Sequence, residues 1–190
     1  MMTASPISRK TFTKQRRALS AKQRQTTAFL ASRHLLKLFR QLPRHAKIGI
    51  YLDDFGELPT DVIAKLAMRL GFEIYLPITK ANQALRFAKA VLPITKTAVM
   101  RHYLGMLEPV TQDIIAAAHL DAIICPLVAV DMRGVRLGMG GGYYDRTFAK
   151  CTKTIKVAWC YEFQVVDNLP KQPWDQAVDM VLTEKRIMRV

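Results

Sequence analysis

A run of glycines directly after a long apolar segment limits what this chain can fold into. The stretch GMGGGYYDR, residues 138–146, places four glycines within five positions and follows them with two tyrosines, an acid and a base. The preceding segment DAIICPLVAVD has the composition of a buried strand, while YYDRTFAK has helical spacing. The sequence therefore predicts a strand, then a glycine loop, then a helix.

Short strand-like runs alternate with helical windows along the chain after Pro43. The predicted strands are KIGIYL, FEIYLPI, LRFAKAV, DAIICPLVAV, IKVAWCYE and MVLT, and the predicted helices include TDVIAKLAMRL and TQDIIAAA. Runs that are apolar on both parities, such as IICPLVAV, are typical of strands covered on both faces. We expect an α/β fold, a three-layer αβα sandwich around a mainly parallel sheet, in which LRFAKAV can pair antiparallel at an edge.

The amino-terminal region carries an uneven charge. No Asp or Glu precedes Asp53, whereas Lys and Arg are frequent there, and apolar residues between Phe29 and Phe39 recur at helical spacing. We expect residues 1–40 to form a basic helical arm that packs on a single domain spanning 1–190. The formal net charge of +14 favours anionic partners such as nucleic acid, a membrane surface or phosphorylated and carboxylated small molecules.

The lengths of the apolar runs and the positions of the cysteines indicate the cellular compartment of the protein. The longest apolar run spans about eight residues, whereas a membrane-spanning helix needs ~20. Together with a polar amino terminus, this predicts a soluble, cytoplasmic protein with no membrane partner. The three cysteines form no CxxC pair and the four histidines lie far apart, so we expect reduced thiols and no zinc site.

Two chemical interpretations fit the glycine loop. Glycines allow positive φ and close approach, so successive backbone N–H groups can converge on phosphate oxygens at the carboxyl edge of a parallel sheet. Arg136 can donate to a phosphate, and Asp145 can hold Mg²⁺, the companion of nucleoside triphosphates. The alternative is a flexible surface turn without a ligand. Neither GxGxxG nor GxxxxGK[ST] matches, which excludes a Rossmann fingerprint and a Walker loop.

The longer segment PLVAVDMRGVRLGMGGGYYDR closely resembles the signature of the 5-formyltetrahydrofolate cyclo-ligase family, also called methenyltetrahydrofolate synthetases. The resemblance extends to RRALSAKQR, IGIYLDDFGELPTDVI, YLPI and VDMVLTE, and covers most of the chain apart from 80–102. It implies an enzyme that uses ATP and Mg²⁺ to convert 5-formyltetrahydrofolate into 5,10-methenyltetrahydrofolate, with release of ADP and phosphate. The implied partners are ATP and a folate that carries one or several glutamates.

The resemblance also implies roles for individual residues. Leu52 and Glu57 stand at folate-binding positions, and Asp145 and Asp179 stand at the positions of metal-associated acids. The implied ATP-binding residues are Arg9, Arg136, Leu137, Gly138, Met139, Gly140, Gly141, Gly142, Tyr143 and Tyr144. Those also implied in folate binding are Met139, Gly140, Gly141, Gly142 and Tyr143. Arg136 and Tyr143 are the candidate catalytic residues.

One departure from the family pattern concerns the amino terminus. The family commonly shows Lys, three residues, then Arg, and alignment on RRALS places the Arg at Arg9 and the Lys position at Ser5. Either Lys10 or Lys14 supplies the missing charge from a nearby position, or the arm is shifted, and we include Lys10 in the ATP site. The alternative is that these bases only form a solvated helix face.

Other site residues also have structural alternatives. Glu57 can simply favour the start of a helix, and Leu52 can serve core packing as well. Tyr144 can be a core ring, whereas Tyr143, next to the glycines, is better placed to stack on a ligand. These alternatives stay open at the level of sequence.

The main alternative function is a basic single-stranded nucleic-acid-binding protein. Such binders interleave bases with aromatic residues along a groove, but only 8% of this sequence is aromatic. We therefore expect no specific nucleic acid partner. A third candidate, a sugar-phosphate or CoA-handling enzyme on a similar sheet, fits the fold but not the long loop signature.

Overall fold

The computed structural model of the protein describes residues 8–102, 105 and 107–190. The helices are Arg9–Ala18 (α1), Ala21–Ser32 (α2), Leu35–Phe39 (α3), Asp61–Arg69 (α4) and Tyr143–Phe148 (α5). The strands are Lys47–Gly49 (β1), Glu73–Ile78 (β2), Arg86–Lys89 (β3), Val99–Arg101 (β4), Leu107–Pro109 (β5), Ile114–Ala116 (β6), Ala122–Cys125 (β7), Ala129–Asp131 (β8), Arg136–Leu137 (β9), Ile155–Trp159 (β10), Val165–Val166 (β11), Met180–Leu182 (β12) and Ile187–Arg189 (β13).

An eight-stranded sheet forms the centre of the molecule, in the order β13-β12-β10-β7-β1-β2-β3-β6. The inner strands from β12 to β2 run parallel. Antiparallel strands close both sides, β13 next to β12 and the pair β3 and β6 next to β2. The predicted α/β fold with a mainly parallel sheet is confirmed, as is the antiparallel pairing of LRFAKAV, although β6 and not β3 forms the edge.

Alternating side chains of the central strands enter two apolar cores, one on each face of the sheet. Ala122 and Ile124 of β7 belong to the core that also contains buried residues of α2, α3 and α4. Ile123 and Cys125 belong to the core that contains Phe148 of α5. Because successive strand residues point to opposite faces, a strand that is apolar at every position needs cover on both sides. This arrangement is the predicted three-layer sandwich.

Two predictions of local structure are wrong. The segment IICPLVAV forms two strands, β7 and β8, in different sheets, because Pro126 has no N–H for a continuous ladder. The Leu127 carbonyl instead accepts hydrogen bonds from Arg16 and Gln164 side chains. The window TQDIIAAA, predicted as a helix, forms β6 and a 3₁₀ turn, since pairing with β3 outweighs a weak helical preference.

The glycine loop lies between a small second sheet and α5. Strand β8 pairs with β9 and β11 in this sheet, and residues 138–142 connect β9 to α5. The predicted order of strand, glycine loop and helix is confirmed, with β9 inserted before the loop. Phe12 of α1 packs against the buried cluster of Ala129, Val135 and Leu169, as does Leu137 of β9. The Arg9 side chain also contacts the Gly138 carbonyl, so the amino-terminal helix lies beside the loop.

The cysteines are buried free thiols at three separate positions, Cys125, Cys151 and Cys160. Burial raises the pKa of the Cys125 thiol to about 11, which keeps this thiol protonated at neutral pH. Among the helices in the ranges given above, none has the length and apolar content that a bilayer crossing requires.

Candidate functional site

The glycine loop is shaped by two different backbone constraints. Gly140 and Gly142 have φ values of +102° and +64°, in the left-handed region that favours glycine. Gly141 is restricted by space instead, because a Cβ at this position would lie 2.9 Å from the Tyr143 ring. Around Gly140 a Cβ would meet nothing within 4 Å. The loop therefore needs glycine for its conformation at two positions and for close approach at the position between them.

Two arginines bind the loop through its carbonyl groups. Arg9 of α1 donates from Nε to the Gly138 carbonyl at 2.9 Å, and Arg146 of α5 donates from Nη2 to the Gly141 carbonyl at 2.8 Å. These contacts hold the loop from two sides. They also place two positive charges beside exposed backbone, which favours an anion there.

Arg136 lies below the loop and is almost fully buried, with 4% of its side chain exposed. Its Nη2 donates to Asp145 Oδ1 at 2.9 Å, its Nη1 donates to the Gln176 carbonyl, and its guanidinium lies 4.7 Å from the centre of the Phe148 ring. The sequence identifies Arg136 as a direct phosphate donor. In the structure its terminal nitrogens are already engaged, and its visible role is to hold Asp145 and the segment around Gln176.

The two predicted metal-associated acids have different surroundings. Asp145, 26% exposed in the first turn of α5, accepts hydrogen bonds at Oδ1 from Arg136 and from the Gln176 amide. Asp179 lies just before β12, where its carboxylate accepts a hydrogen bond of 2.7 Å from the backbone N–H of Lys156. In the described part of the chain no cluster of three or more His, Cys, Asp or Glu side chains could hold a metal ion.

The donor set at the loop nevertheless fits magnesium. Mg²⁺ in nucleotide sites is held by one or two carboxylates together with phosphate oxygens and water, so a cluster of three protein ligands is not required. The partly exposed Asp145 carboxylate next to the glycine loop meets that requirement. For Asp179 the structure gives a different contact, since its Oδ2 accepts a hydrogen bond from the backbone N–H of Lys156.

Glu57 lies in the loop after β1 and is 9% exposed. Its Oε2 accepts hydrogen bonds from the Asp54 and Phe55 amides at 3.2 and 2.9 Å, and its Oε1 lies 3.6 Å from Nη2 of Arg16. Helix α4 begins only at Asp61. The geometry therefore does not support the alternative in which Glu57 serves the start of a helix.

A polar recess of about 290 Å³ borders Glu57. Its lining residues come from α2 and from the loop after β1, namely Ala21, Arg24, Gln25, Asp53, Asp54, Gly56, Glu57 and Pro59. Leu52, at the start of this loop, is half-buried and packs against the core. The predicted folate positions thus include one carboxylate at a recess and one side chain with a clear packing role.

The two tyrosines after the glycines differ in their surroundings. The Arg146 guanidinium lies 5.0 Å from the centre of the Tyr143 ring, beside the loop. Tyr144 packs edge-on against Phe148 with ring centres 5.7 Å apart, and burial raises its pKa well above the ordinary value. The structure thus supports a core role for Tyr144 and leaves Tyr143 as the ring at the loop.

The amino-terminal residues of the predicted ATP site differ in their contacts. Arg9 contacts the loop, whereas Lys10 and Lys14 are exposed on α1. Ser5, the family lysine position, lies outside the described residues.

Three residues at the site were not identified from the sequence. Arg16 contacts Glu57, Arg146 contacts the loop, and Gln176 contacts both Arg136 and Asp145. The position of Arg146 within the quoted motif was a usable signal, and so was the spacing of Arg16 seven residues after Arg9. For Gln176 the sequence contains no such signal, because its role depends on a contact across 40 residues.

Comparison with known proteins identifies the family of this chain. Residues 2–184 match the model of the 5-formyltetrahydrofolate cyclo-ligase family. A protein of Escherichia coli strain K12 named 5-formyltetrahydrofolate cyclo-ligase is 32% identical over 176 residues, covering 90% of this chain and 96% of that protein. A Haemophilus influenzae protein of the same name is 33% identical over 166 residues, covering 83% of this chain and 85% of that protein.

Solved structures have the same fold. The NMR structure of 5,10-methenyltetrahydrofolate synthetase from Aquifex aeolicus has a TM-score of 0.79 at 29% identity, covering 95% of this chain and 90% of that chain. The synthetase from Mycoplasma pneumoniae has a TM-score of 0.71 at 21% identity, which shows the fold alone, and covers 93% of this chain and 96% of that chain. With the family model and full-length relatives in agreement, the chain belongs to the 5-formyltetrahydrofolate cyclo-ligase family.

Proposed function

We propose that the protein converts 5-formyltetrahydrofolate into 5,10-methenyltetrahydrofolate at the cost of ATP, with release of ADP and phosphate. The family assignment and the names of the relatives support this reaction. The observation that carries the proposal for this chain is that one helix reaches both implied substrate sites. On α1, Arg9 contacts the glycine loop and Arg16 contacts Glu57.

The ATP phosphates are proposed to bind at the loop from Gly138 to Gly142. Its backbone N–H groups, Arg9 and the exposed Lys10 supply donors and positive charge. A charge-assisted hydrogen bond contributes about 1.5–3 kcal/mol, so two or three of them account for a useful share of nucleotide affinity. Leu137 and Tyr144 pack in apolar clusters, and their proposed contribution is to support the loop from below.

The folate is proposed to bind between Glu57 and the loop. The Glu57 carboxylate can accept hydrogen bonds from the pterin ring, while Met139, 64% exposed, and Tyr143 offer apolar surface beside it. Leu52, which is half-buried and packs against the core, is proposed to border the folate. The net charge of +14 helps to attract both the folate glutamates and ATP.

The proposed chemistry needs no protein nucleophile. The formyl oxygen on N5 attacks the γ-phosphorus, so that an O–P bond forms while the bond to ADP breaks. N10 then adds to the activated formyl carbon and loses its proton, and phosphate leaves with the former formyl oxygen. The tasks for this chain are therefore to align the formyl oxygen with the γ-phosphate and to stabilise negative charge.

Asp145 is the residue proposed to hold Mg²⁺, which when bound would neutralise charge on the triphosphate. Arg136 fixes the Asp145 carboxylate through their 2.9 Å contact, so its effect on the reaction is proposed to pass through that acid. A metal role for Asp179 stays a prediction.

A direct assay tests the function. The protein is incubated with 5-formyltetrahydrofolate, ATP and Mg²⁺, and the near-ultraviolet absorbance of the methenyl product is followed alongside ADP. We expect equal amounts of the two products and none without ATP. A folded protein, verified by circular dichroism, that forms no methenyl product would contradict the proposal.

A further inference from the structure

Arg16 differs from the other basic residues of α1 in being buried. It is 1% exposed, whereas the other basic residues of α1, namely Arg9, Lys10, Lys14 and Arg17, are exposed. Burying a guanidinium removes its hydration, so such a residue is retained only where partners offset that cost.

The contacts of Arg16 point to Glu57. Its Nη1 donates to the Leu127 carbonyl at 2.9 Å, and its Nη2 lies 3.6 Å from Oε1 of Glu57. That separation is an ion pair but is longer than a hydrogen bond. Nε and Nη2 are buried without a hydrogen-bond partner in the structure. Arg16 therefore has N–H groups that make no hydrogen bond, and one of them, on Nη2, lies beside Glu57.

The backbone around Glu57 is held against Arg16 as well. Gly56 has φ of +75°, and a Cβ there would lie 3.2 Å from the Arg16 backbone. The Tyr161 hydroxyl donates to the carbonyl groups of Gly56 and Glu57 at 3.3 and 3.1 Å. The loop is thus clamped between α1 and Tyr161, which leaves the carboxylate little freedom.

We propose that Arg16 is a positioning residue for folate, which fixes the orientation of the Glu57 carboxylate through their 3.6 Å ion pair. The inference rests on the proposed folate role of Glu57. Arg16 makes a bridge from the Leu127 carbonyl to that carboxylate, and the planar fork of a guanidinium suits this double contact. A lysine keeps the charge but offers a single ammonium group, so it cannot hold both partners in the same geometry.

The position of Arg16 on α1 separates its role from that of Arg9. The two residues are about 10 Å apart along the helix, and Arg9 contacts the glycine loop. Loss of Arg16 is therefore expected to weaken folate binding without a matching loss of ATP binding. A residue with only a structural role would affect both ligands and the melting temperature together.

Arg16→Lys in the full-length chain tests this, with Arg17→Lys as the matched control on the exposed side of the same helix. Affinities for 5-formyltetrahydrofolate and for ATP are measured separately by titration calorimetry. We expect the folate Kd of Arg16→Lys to rise about tenfold, with the ATP Kd changed less than twofold. Both values should be unchanged in Arg17→Lys. If Arg16→Lys melts below the assay temperature, Arg16→Gln replaces it.

A double-mutant cycle with Glu57→Gln examines the coupling. Arg16→Lys should have less than a twofold effect on folate affinity when Glu57 is already Gln. The inference is overturned if the two substitutions act independently, if Arg16→Lys binds folate like the wild type, or if it weakens both ligands equally. A wild-type protein that binds no 5-formyltetrahydrofolate would instead refute the proposed function.

Discussion

Two glycines with positive φ allow backbone strain to be tested separately from the proposed ligand binding. Gly140 has φ of +102° with open space around it, and Gly71, after α4, has φ of +72° with its nearest neighbour atom at 4.0 Å. The φ of Gly71 lies close to the left-handed region, where an L-residue loses about 1–2 kcal/mol, and the φ of Gly140 lies further from it. Alanine is therefore strained at both positions. Only Gly140 lies in the proposed phosphate loop, so the pair separates strain from binding.

Gly140→Ala is expected to raise the KM for ATP about tenfold, because the loop must leave the conformation that directs its N–H groups at phosphate. Gly71→Ala should lower the free energy of unfolding by about 1–2 kcal/mol but leave the KM for ATP unchanged. Steady-state kinetics and urea denaturation of both variants give the comparison. Equal KM values in the two variants would mean that the loop does not bind ATP.

Asp145→Asn is expected to weaken Mg²⁺-dependent turnover about ten- to a hundredfold, because a negative ligand is lost without a change in shape. Its affinity for folate should change much less. Asp179→Asn provides the comparison, since Asp179 contacts Lys156 and not Arg136. Mg²⁺ titrations of activity should shift for Asp145→Asn. A shift of equal size for Asp179→Asn would show that both acids serve the metal.

Among the elements, α1 has contacts that connect separate parts of the molecule. Phe12 anchors it on the cluster with Leu137, Arg9 bonds the glycine loop, and Arg16 is buried beside Glu57. The helix α2 that follows is stabilised by a capping box, in which Ser20 and Gln23 exchange hydrogen bonds. The break at Ser20 thus lets two short helices take different directions.

Arg9→Ala should raise the apparent KM for ATP about fivefold at low salt, since an exposed charge contact contributes up to about 1 kcal/mol. The effect should shrink as salt is added, because screening reduces exposed electrostatic contacts. Parallel Lys10→Ala and Lys14→Ala variants show which lysine replaces the one absent at Ser5. Lys22→Ala on α2 is the control. A KM for Arg9→Ala that equals the wild-type value would remove the ATP role of Arg9.

At the scale of the whole molecule, a central sheet with cores on both faces supports loops at its edge. The parallel strands β1 and β7 lead to the Glu57 loop and, through β8 and β9, to the glycine loop. Ligands of open α/β sheets bind beyond the carboxyl ends of such strands. The net charge of +14 favours anionic partners, and a binding test distinguishes the proposed small-molecule substrates from the nucleic-acid alternative.

The full-length protein should bind single-stranded DNA more weakly than micromolar at physiological salt, while ATP with 5-formyltetrahydrofolate raises its melting temperature. Ligands at a hundred times their Kd add about 2.7 kcal/mol to the free energy of unfolding. Fluorescence anisotropy and thermal melts measure the two effects. Sub-micromolar DNA binding with a steep salt dependence would favour the nucleic-acid function, because that affinity follows the number of neutralised phosphates.

The sequence by itself determined the features that depend on neighbouring residues. Short apolar runs predicted the central strands, helical spacing predicted α4, and the glycine cluster predicted the loop that precedes α5. The family resemblance of that stretch predicted the function class. These inferences succeed because turn conformations and amphipathic patterns are set by the local chain.

Only the tertiary structure decided the features that depend on distant contacts. It showed TQDIIAAA pairing with β3 as a strand, Arg16 buried beside Glu57, and Arg136 engaged by Asp145 and Gln176. In the sequence, Arg16 is one of many basic residues in a region without acidic residues. Its burial depends on residues 41 and 111 positions further along the chain, Glu57 and Leu127, and no local pattern encodes which distant groups will meet when the chain folds.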